Sequence, residues 1–170
     1  MGCDTLKMVT IMPERCVGCH DCEMACAFAQ SGDSCSRRWS NIHVDVSTAE
    51  RFVMPVTCFH CEQAWCMAVC PAGAITRDKE TGAVVISPAR CAGCKMCILA
   101  CPYGNIRFDH GRGISRKCDL CGGDPECVKH CISGALNYEE IDDLVDRKRD
   151  TFDHKLARVI KTRWGRPDDE

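Results

Sequence analysis

The chain has 170 residues, of which 18 are cysteines, and its formal net charge at pH 7 is −2. A short chain so rich in cysteine is normally either a disulfide scaffold or a metal protein. The nearly balanced charge excludes the strongly basic surface that nucleic-acid binding needs, and no apolar run approaches the length of a membrane span.

The first residues point to the redox state of these thiols. Residues 1–6 lack the charged and apolar regions of a secretory signal, which predicts a cytoplasmic location. Because the cytosol keeps thiols reduced, the cysteines are then free to bind metal. Large apolar side chains are few, with six leucines and ten aromatic residues in the whole chain. We therefore expect that metal binding, and not only a hydrophobic core, organises the fold.

Sixteen of the cysteines form four groups, which we call the first to fourth quartets. The first and third follow the C-x2-C-x2-C-x3-C spacing with which bacterial proteins bind [4Fe–4S] clusters, and the other two lengthen only the middle gap. In chain order the quartets are Cys16, Cys19, Cys22 and Cys26; Cys58, Cys61, Cys66 and Cys70; Cys91, Cys94, Cys97 and Cys101; and Cys118, Cys121, Cys127 and Cys131.

This spacing has a geometric reason. The first three thiolates of a quartet can wrap three iron corners of one cubane, while the fourth enters a helix and reaches the cluster of another quartet. Such an exchange requires an even number of quartets, and the chain has four. The sequence therefore predicts four [4Fe–4S] clusters.

Three other uses of the cysteines are weaker hypotheses. A zinc ribbon would need only two C-x2-C pairs, not compact quartets with a fixed final spacing. The segment from Cys16 to His20 fits the pattern of covalent haem attachment, but Cys22 and Cys26 continue the cluster spacing. Disulfide pairing conflicts with the predicted location.

The regular elements predicted between the quartets are short. Strands are expected at residues 41–46, 51–56 and 82–86, and a short helix is expected at the Cys-x3-Cys end of each quartet. From Glu139 onward, apolar residues recur at helical spacing, with no glycine or proline before Gly165. This C-terminal helix either packs on the body of the protein or serves as a docking arm for a partner subunit or a second copy.

Three segments carry a resemblance to a known family. They are residues 55–75, residues 90–104, and residues 117–131, and each contains a quartet with its characteristic neighbours, such as Cys70-Pro71 and Lys117-Cys118. Together they resemble the four-cluster, ferredoxin-like electron-transfer subunits of anaerobic multisubunit oxidoreductases. The resemblance implies an α+β fold of two tandem ferredoxin-like dicluster units. It also implies a domain at residues 1–138, followed by a helix and tail at residues 139–170.

The resemblance further implies which thiols share a cluster. The outer pair of clusters would combine residues 16–26 with 118–131, and the inner pair would combine residues 58–70 with 91–101. Cluster 1 would take Cys16, Cys19, Cys22 and Cys131; cluster 2 Cys118, Cys121, Cys127 and Cys26; cluster 3 Cys58, Cys61, Cys66 and Cys101; and cluster 4 Cys91, Cys94, Cys97 and Cys70.

Some residues in or near the quartets depart from the family's pattern or lie outside it. Ala27 and Ile132 stand where this pattern has proline, so the local turns of the outer pair are less closely defined by the resemblance. Cys3 and Cys35 lie outside the quartets and are expected to be spectator thiols. Histidines inside the loops, among them His60, either tune the potential of a cluster or are ordinary polar loop residues.

The sequence predicts electron transfer and not catalysis, because it contains no nucleotide-binding, flavin-binding or nucleophile–base motif. The resemblance implies a subunit with no direct membrane span that relays single electrons between a catalytic subunit and a flavin- or NAD-reactive subunit or a ferredoxin. A tungsten or molybdenum pterin enzyme of the aldehyde or formate type is the preferred catalytic partner. Carbon monoxide dehydrogenase, hydrogenase, a free polyferredoxin, self-stacking of copies and a zinc-stabilised structural module are the alternatives.

Overall fold

The computed structural model describes residues 7–164, which contain four antiparallel strand pairs, five α-helices and three short 3-10 helices joined by loops. Cys3 and the segment after Trp164 lie outside the described residues. The strands are β1 (Met8–Ile11), β2 (His43–Ser47), β3 (Phe52–Val56), β4 (Ile75–Arg77), β5 (Val84–Ile86), β6 (Arg107–Asp109), β7 (Ile114–Arg116) and β8 (Leu136–Glu139). The helices are α1 (Asp21–Ser31), α2 (Trp65–Ala68), α3 (Met96–Ala100), α4 (Glu126–Lys129) and α5 (Ile141–Trp164).

Each quartet has a helix near its last two cysteines, as the sequence predicts, but of the final cysteines only Cys26 lies within one, whereas Cys70, Cys101 and Cys131 follow the helix. Helices α1 to α4 begin inside the four quartets, and three of them are only 4 or 5 residues long. Helices α2 and α3 end shortly before a cysteine–proline pair, because a proline is poorly tolerated beyond the first helical turn. The predicted strands at residues 41–46, 51–56 and 82–86 correspond to β2, β3 and β5 with shifts of up to two residues.

The strand pairs show how distant parts of the chain meet. Strand β1 pairs with β8, so that Met8 lies opposite Glu139, while β4 pairs with β5 and β6 with β7 as local hairpins. Helix α1 packs against α4, and α2 packs against α3. The first and last quartets thus share one body, which we call the outer unit, and the middle quartets share the inner unit.

Cysteines form part of both hydrophobic cores. The core of the outer unit combines Val9, Ile42, Ala83, Leu120 and Leu136 with Cys22, Cys26 and Cys127. The core of the inner unit combines Ala64, Ile75, Val84 and Ile106 with Cys97. Cysteines thus account for three of the eight buried residues in the core of the outer unit and one of the five in the core of the inner unit.

Helix α5 leaves most of its apolar side chains in solvent. Phe152 is 62% exposed and Val159 is 55% exposed. The helix is tied to the outer unit by Arg147, which pairs with Glu139 and also approaches Thr10. The role of α5 as a docking arm, self-stacking and the domain boundary at residue 138 stay predictions. In residues 7–164, no helix is both long and apolar enough to cross a membrane.

Candidate iron–sulfur sites

All four quartet loops share one backbone feature. The residue directly before the second cysteine is left-handed in every loop, with φ of 70° at Gly18, 47° at His60, 68° at Gly93 and 57° at Leu120. Glycine adopts this conformation without penalty, whereas a residue with a Cβ incurs a cost on the order of 1–2 kcal/mol. The same tight bend is therefore built even where the sequence has histidine or leucine.

Two of the predicted ligand sets line cavities. Cys58, Cys61, Cys66 and Cys101 surround one cavity in the inner unit, which we call the inner cavity. Cys16, Cys19, Cys22 and Cys131 surround another in the outer unit, which we call the outer cavity. In both, three thiols come from one quartet and the fourth from a different quartet. These are the sets that the resemblance implied for clusters 3 and 1, and their ligation of iron stays a prediction.

The set proposed for cluster 2 also comes together. Cys26 and Cys127 lie in the core of the outer unit, with Cys118 packed against them. Burial raises the pKa of Cys127, and the neighbouring charges of Cys118, Cys26 and Cys121 raise it further. These four thiols are therefore close enough to interact electrostatically.

Only part of the thiol set proposed for cluster 4 lies at the core of the inner unit. Cys97 is buried in the core of the inner unit, and Cys70 packs against that core. Cys91 is partly buried and Cys94 is exposed at the surface. The grouping of these four thiols rests on the resemblance.

The protonation of the buried thiols indicates what they require. Burial raises the pKa of Cys22 to about 12, and the charge of Glu23 adds to this effect. Burial also raises the pKa of Cys118 to about 12, against the opposing effect of the Leu120 N–H, which donates to its sulfur at 3.5 Å. A thiolate at these positions needs strong compensating positive charge, which iron supplies on binding.

Backbone N–H groups point at several of these sulfurs. The N–H of Asn41 lies 3.3 Å from Cys26 Sγ, and the N–H of Ala74 lies 3.3 Å from Cys70 Sγ. The N–H of His60 lies 3.4 Å from Cys58 Sγ. Hydrogen bonds of this kind stabilise thiolate charge and influence the potential of an iron–sulfur cluster.

The donor set fits a multi-iron cluster. Within residues 7–164, no three cysteine, histidine, aspartate or glutamate side chains converge closely enough to share a single metal ion. The thiols of the two cavities instead surround a space from several sides. All-thiolate ligands, cavities and N–H donors aimed at sulfur together suit a [4Fe–4S] cluster.

The loop histidines have different environments. His60 is buried, and its Nδ1 accepts the N–H of Val84 at 3.0 Å. Burial lowers the pKa of His60 to about 3, assisted by the positive charges of Lys117 and Arg77. His20 lies 2.7 Å from the Glu23 carboxylate at the surface of the outer unit. His130 Nδ1 lies 3.0 Å from the carbonyl oxygen of Glu126 and is exposed.

A buried polar bridge joins the two units. Asn105 Nδ2 donates to the Thr57 carbonyl at 2.7 Å, and the Thr57 hydroxyl donates to the Asn41 carbonyl at 3.4 Å. Asn41 Nδ2 then donates to the Lys117 carbonyl at 3.1 Å. The sequence does not reveal these four residues as a group, because nothing in their spacing shows that they are buried.

Arg77 supports the loop of the second quartet. Its guanidinium donates to the carbonyls of Cys61 at 2.6 Å, Gly82 at 2.8 Å, Glu62 at 3.1 Å and His60 at 3.3 Å. The Arg77 guanidinium therefore ties the β4–β5 hairpin to the loop that contains Cys58 and Cys61. Arg77 ends strand β4 and belongs to no motif, so no sequence pattern indicates this contact.

Cys35 lies apart from the four sets. It is exposed, and it borders a surface groove beside Met24 and Phe28 on α1. It lines neither the inner cavity nor the outer cavity. Its role as a spectator thiol stays a prediction, and Cys3 lies outside the described residues.

Comparison with known families identifies the kind of protein that has this arrangement. Residues 49–141 match the 4Fe–4S dicluster domain, and residues 13–29 match a 4Fe–4S binding domain. The chain belongs to the 4Fe–4S dicluster family. This membership confirms the predicted α+β, ferredoxin-like fold and the [4Fe–4S] cluster as the cofactor.

Three curated relatives of this dicluster protein are named as subunits of oxidoreductases. It is 37% identical over 123 residues to the aliphatic sulfonate oxidoreductase polyferredoxin-like subunit of Pyrococcus furiosus, covering 72% of this chain and 70% of that protein. It is 35% identical over 142 residues to the NADH-dependent phenylglyoxylate dehydrogenase subunit beta of Aromatoleum evansii, covering 79% of this chain. It is 34% identical over 146 residues to the thiosulfate reductase electron transfer subunit PhsB of Salmonella typhi, covering 76% of this chain and 73% of that protein.

The extent of these matches varies. The chain spans 32% of the length of the phenylglyoxylate dehydrogenase subunit. Among solved structures, the active site complex BamBC of benzoyl coenzyme A reductase in complex with zinc matches at a TM-score of 0.44 and 22% identity, covering 95% of this chain and 93% of its counterpart.

Proposed function

We propose that this dicluster protein is a non-catalytic subunit that relays single electrons through four [4Fe–4S] clusters within an oxidoreductase complex. The observation that carries the proposal is the pair of cavities, each lined by three thiols of one quartet and one thiol of another. This exchange of the fourth ligand is the arrangement of two-cluster ferredoxins. Four quartets then supply ligands for four clusters.

The contacts between thiol sets support a continuous path. Burial and three other thiols have the largest effects on the pKa of Cys127, and the charge of Cys22 raises it further. The ligand sets of clusters 1 and 2 are therefore within electrostatic reach of each other. The charge of Cys58 likewise contributes to the raised pKa of Cys118, which links sets 2 and 3. Sets 3 and 4 meet where α2 packs on α3. A [4Fe–4S] cluster, when bound, accepts or gives up one electron at a time.

The protein's own residues hold and insulate these sites. Backbone N–H groups hydrogen bond the thiol sulfurs, and the two cores exclude water from Cys22, Cys97 and Cys127. Elsewhere the sites approach the surface, as at Cys19 and Cys94. Such exposed ends are where electrons would enter and leave.

The partners are proposed by class. We propose a tungsten or molybdenum pterin oxidoreductase as the catalytic subunit, and a flavin- or NAD-reactive subunit or a ferredoxin as the second redox partner. Relatives named as subunits of a thiosulfate reductase and an aliphatic sulfonate oxidoreductase support membership of an oxidoreductase complex. Oxidised clusters with four thiolates carry a charge of about −2 each, so basic partner surfaces are expected.

Anaerobic purification of the full chain tests the number of clusters. Four clusters require about sixteen iron and sixteen sulfide ions per chain. Cys101→Ser and Cys131→Ser should each remove or convert one cluster, whereas Cys35→Ser, which changes the same atom outside the sets, should leave the iron content unchanged. About eight irons per chain, or a colourless protein containing zinc, would contradict the proposal. Mass spectrometry of proteins that co-purify identifies the partner class.

A further inference from the structure

Lys117 is a buried cation with no carboxylate partner among the described residues. The residue is 5% exposed. Its ammonium donates to the carbonyl of Val84 and, at 3.1 Å, to the carbonyl of Cys118. None of the ion pairs in the described part of the chain includes it. A buried ammonium costs several kcal/mol unless negative charge lies nearby, so the position of Lys117 calls for an anion.

The available anion is the thiolate set of the inner cavity. Lys117 lines this cavity together with Cys58, Cys61, Cys66 and Cys101, and among the described residues of the lining it is the only lysine, arginine, aspartate or glutamate. Its positive charge also acts on the Cys66 thiol, where it opposes the effect of burial on the pKa. The ammonium is therefore placed where an iron–sulfur cluster would carry its negative charge.

His60 adds a second donor to the same cavity. Because its Nδ1 accepts the Val84 N–H, the proton of the neutral ring is on Nε2. This Nε2 is buried and has no hydrogen-bond partner among the described residues. His60 lines the inner cavity, so this Nε2–H lies beside the four thiols and has no acceptor among the described residues.

The outer cavity differs from the inner cavity in the charges around it. Over residues 7–164, its lining includes no lysine or arginine. Glu23, which directly follows Cys22, keeps its side chain only 7% exposed, and it accepts the N–H of Val44 at 3.0 Å. His20 and the largely exposed Arg37 contact the other carboxylate oxygen. At the matching position of the second quartet, directly after Cys66, the chain has Met67.

We propose that Lys117 raises the reduction potential of the inner-cavity cluster above that of the outer-cavity cluster, whose potential Glu23 lowers. The inference rests on the proposed function, since it assumes a cluster in each cavity. Each cluster gains one negative charge when it accepts an electron. A fixed ammonium beside it stabilises the reduced form, and a fixed carboxylate destabilises it.

This difference would set where an electron rests. Lys117 and Thr57 both belong to the polar bridge between the units, so the favoured position lies at the centre of the path and not at its exposed outer end. An electron that enters at the outer cavity would move inward downhill in energy. Lys117 is thus a positioning residue for charge, and it takes no part in binding iron.

Anaerobic redox titration of the full chain, followed by electron paramagnetic resonance, tests the proposal. Lys117→Gln removes the charge, Lys117→Arg keeps it, and Lys148→Gln removes a charge from an exposed position on α5. At the wild-type midpoint of the inner-cavity cluster, whose signal is the one that Cys101→Ser removes or alters, Lys117→Gln should change the ratio of reduced to oxidised cluster at least tenfold toward the oxidised form. That ratio corresponds to about 59 mV for one electron. Lys117→Arg and Lys148→Gln should stay near the wild-type ratio.

Glu23→Gln provides an independent second arm. It should shift the outer-cavity cluster, whose signal is the one that Cys131→Ser removes or alters, in the opposite direction and leave the inner-cavity cluster unchanged. Iron content measured on the same samples separates the two proposals. Fewer than about sixteen irons in the wild-type chain would overturn the four-cluster function. Full iron content with unchanged potentials in both Lys117→Gln and Glu23→Gln would overturn the role of these charges.

Discussion

Replacing Gly93 with alanine tests how closely the β6–β7 hairpin covers the third quartet. A Cβ at Gly93 would lie 2.2 Å from the carbonyl oxygen of Gly113, which is part of the backbone of that hairpin. Carbon atoms and their neighbours normally keep about 3.5 Å apart, so the hairpin or the quartet loop must move by about 1 Å. The residue also has a φ of 68°, which alanine adopts only with strain.

The expected cost follows from these two terms. Left-handed backbone costs an alanine about 1–2 kcal/mol, and overpacking of this kind costs about 1–3 kcal/mol. A total of about 2–5 kcal/mol corresponds to a fall in melting temperature of roughly 4–20 °C for a chain of this size. Because Gly93 lies between Cys91 and Cys94, iron of the cluster 4 set should be lost first.

Two other glycines separate the terms. Gly104 has a φ of 65° and open space around it, so Gly104→Ala measures the backbone strain alone. Gly18 has a φ of 70°, and its Cβ would meet the flexible side chain of Val53 at 3.3 Å. Thermal unfolding and iron content, both measured anaerobically, should rank Gly93→Ala as clearly the most damaging. Equal losses for Gly93→Ala and Gly104→Ala would refute the close backbone approach.

Three further changes should have distinct effects. Arg77→Met removes the donors that hold the carbonyl of Cys61 and its neighbours. It should lower the free energy of unfolding by about 2 kcal/mol and speed the release of iron to a chelator. Iron release at the wild-type rate would contradict a supporting role for Arg77. A chain that ends at Glu140 loses α5 and the Arg147 contacts. It should keep its full iron content and unfold within about 3 °C of the intact chain. Loss of iron would show instead that α5 is an integral part of the outer unit. Cys35→Ser should leave the visible spectrum and iron content unchanged, since Cys35 is exposed and outside the ligand sets, and a lost cluster would place it among the ligands.

The sequence predicted the features that depend on covalent spacing. Thiols three residues apart must lie near one another in any tight loop, so the quartets, their helices and the cofactor could be inferred before the fold was known. The helix from Ile141 also followed from a local pattern, because its apolar residues repeat every three or four positions.

Features that depend on tertiary contacts could not be predicted in this way. Lys117 and Glu23 resemble surface residues in the sequence, yet both are buried, since the fold brings Lys117 to Val84 and Glu23 to Val44. The left-handed backbone at Leu120 conflicts with its local preference, and it is imposed by the loop that presents Cys118 and Cys121. The sequence also could not show that the apolar stripe of α5 would stay in solvent.

The pairing of β1 with β8 has a consequence for how the protein is made. The partners Met8 and Glu139 are separated by nearly the whole of the folded body in sequence, so the outer unit cannot close until the ribosome has translated almost all of it. The inner unit needs only the segment from α2 to α3 for its helices and its β4–β5 hairpin to meet. The inner unit should therefore fold before the outer unit, because the first quartet cannot be joined by the fourth until the fourth has been translated. Until then the first quartet lacks Cys131, the fourth thiol of the set proposed for cluster 1.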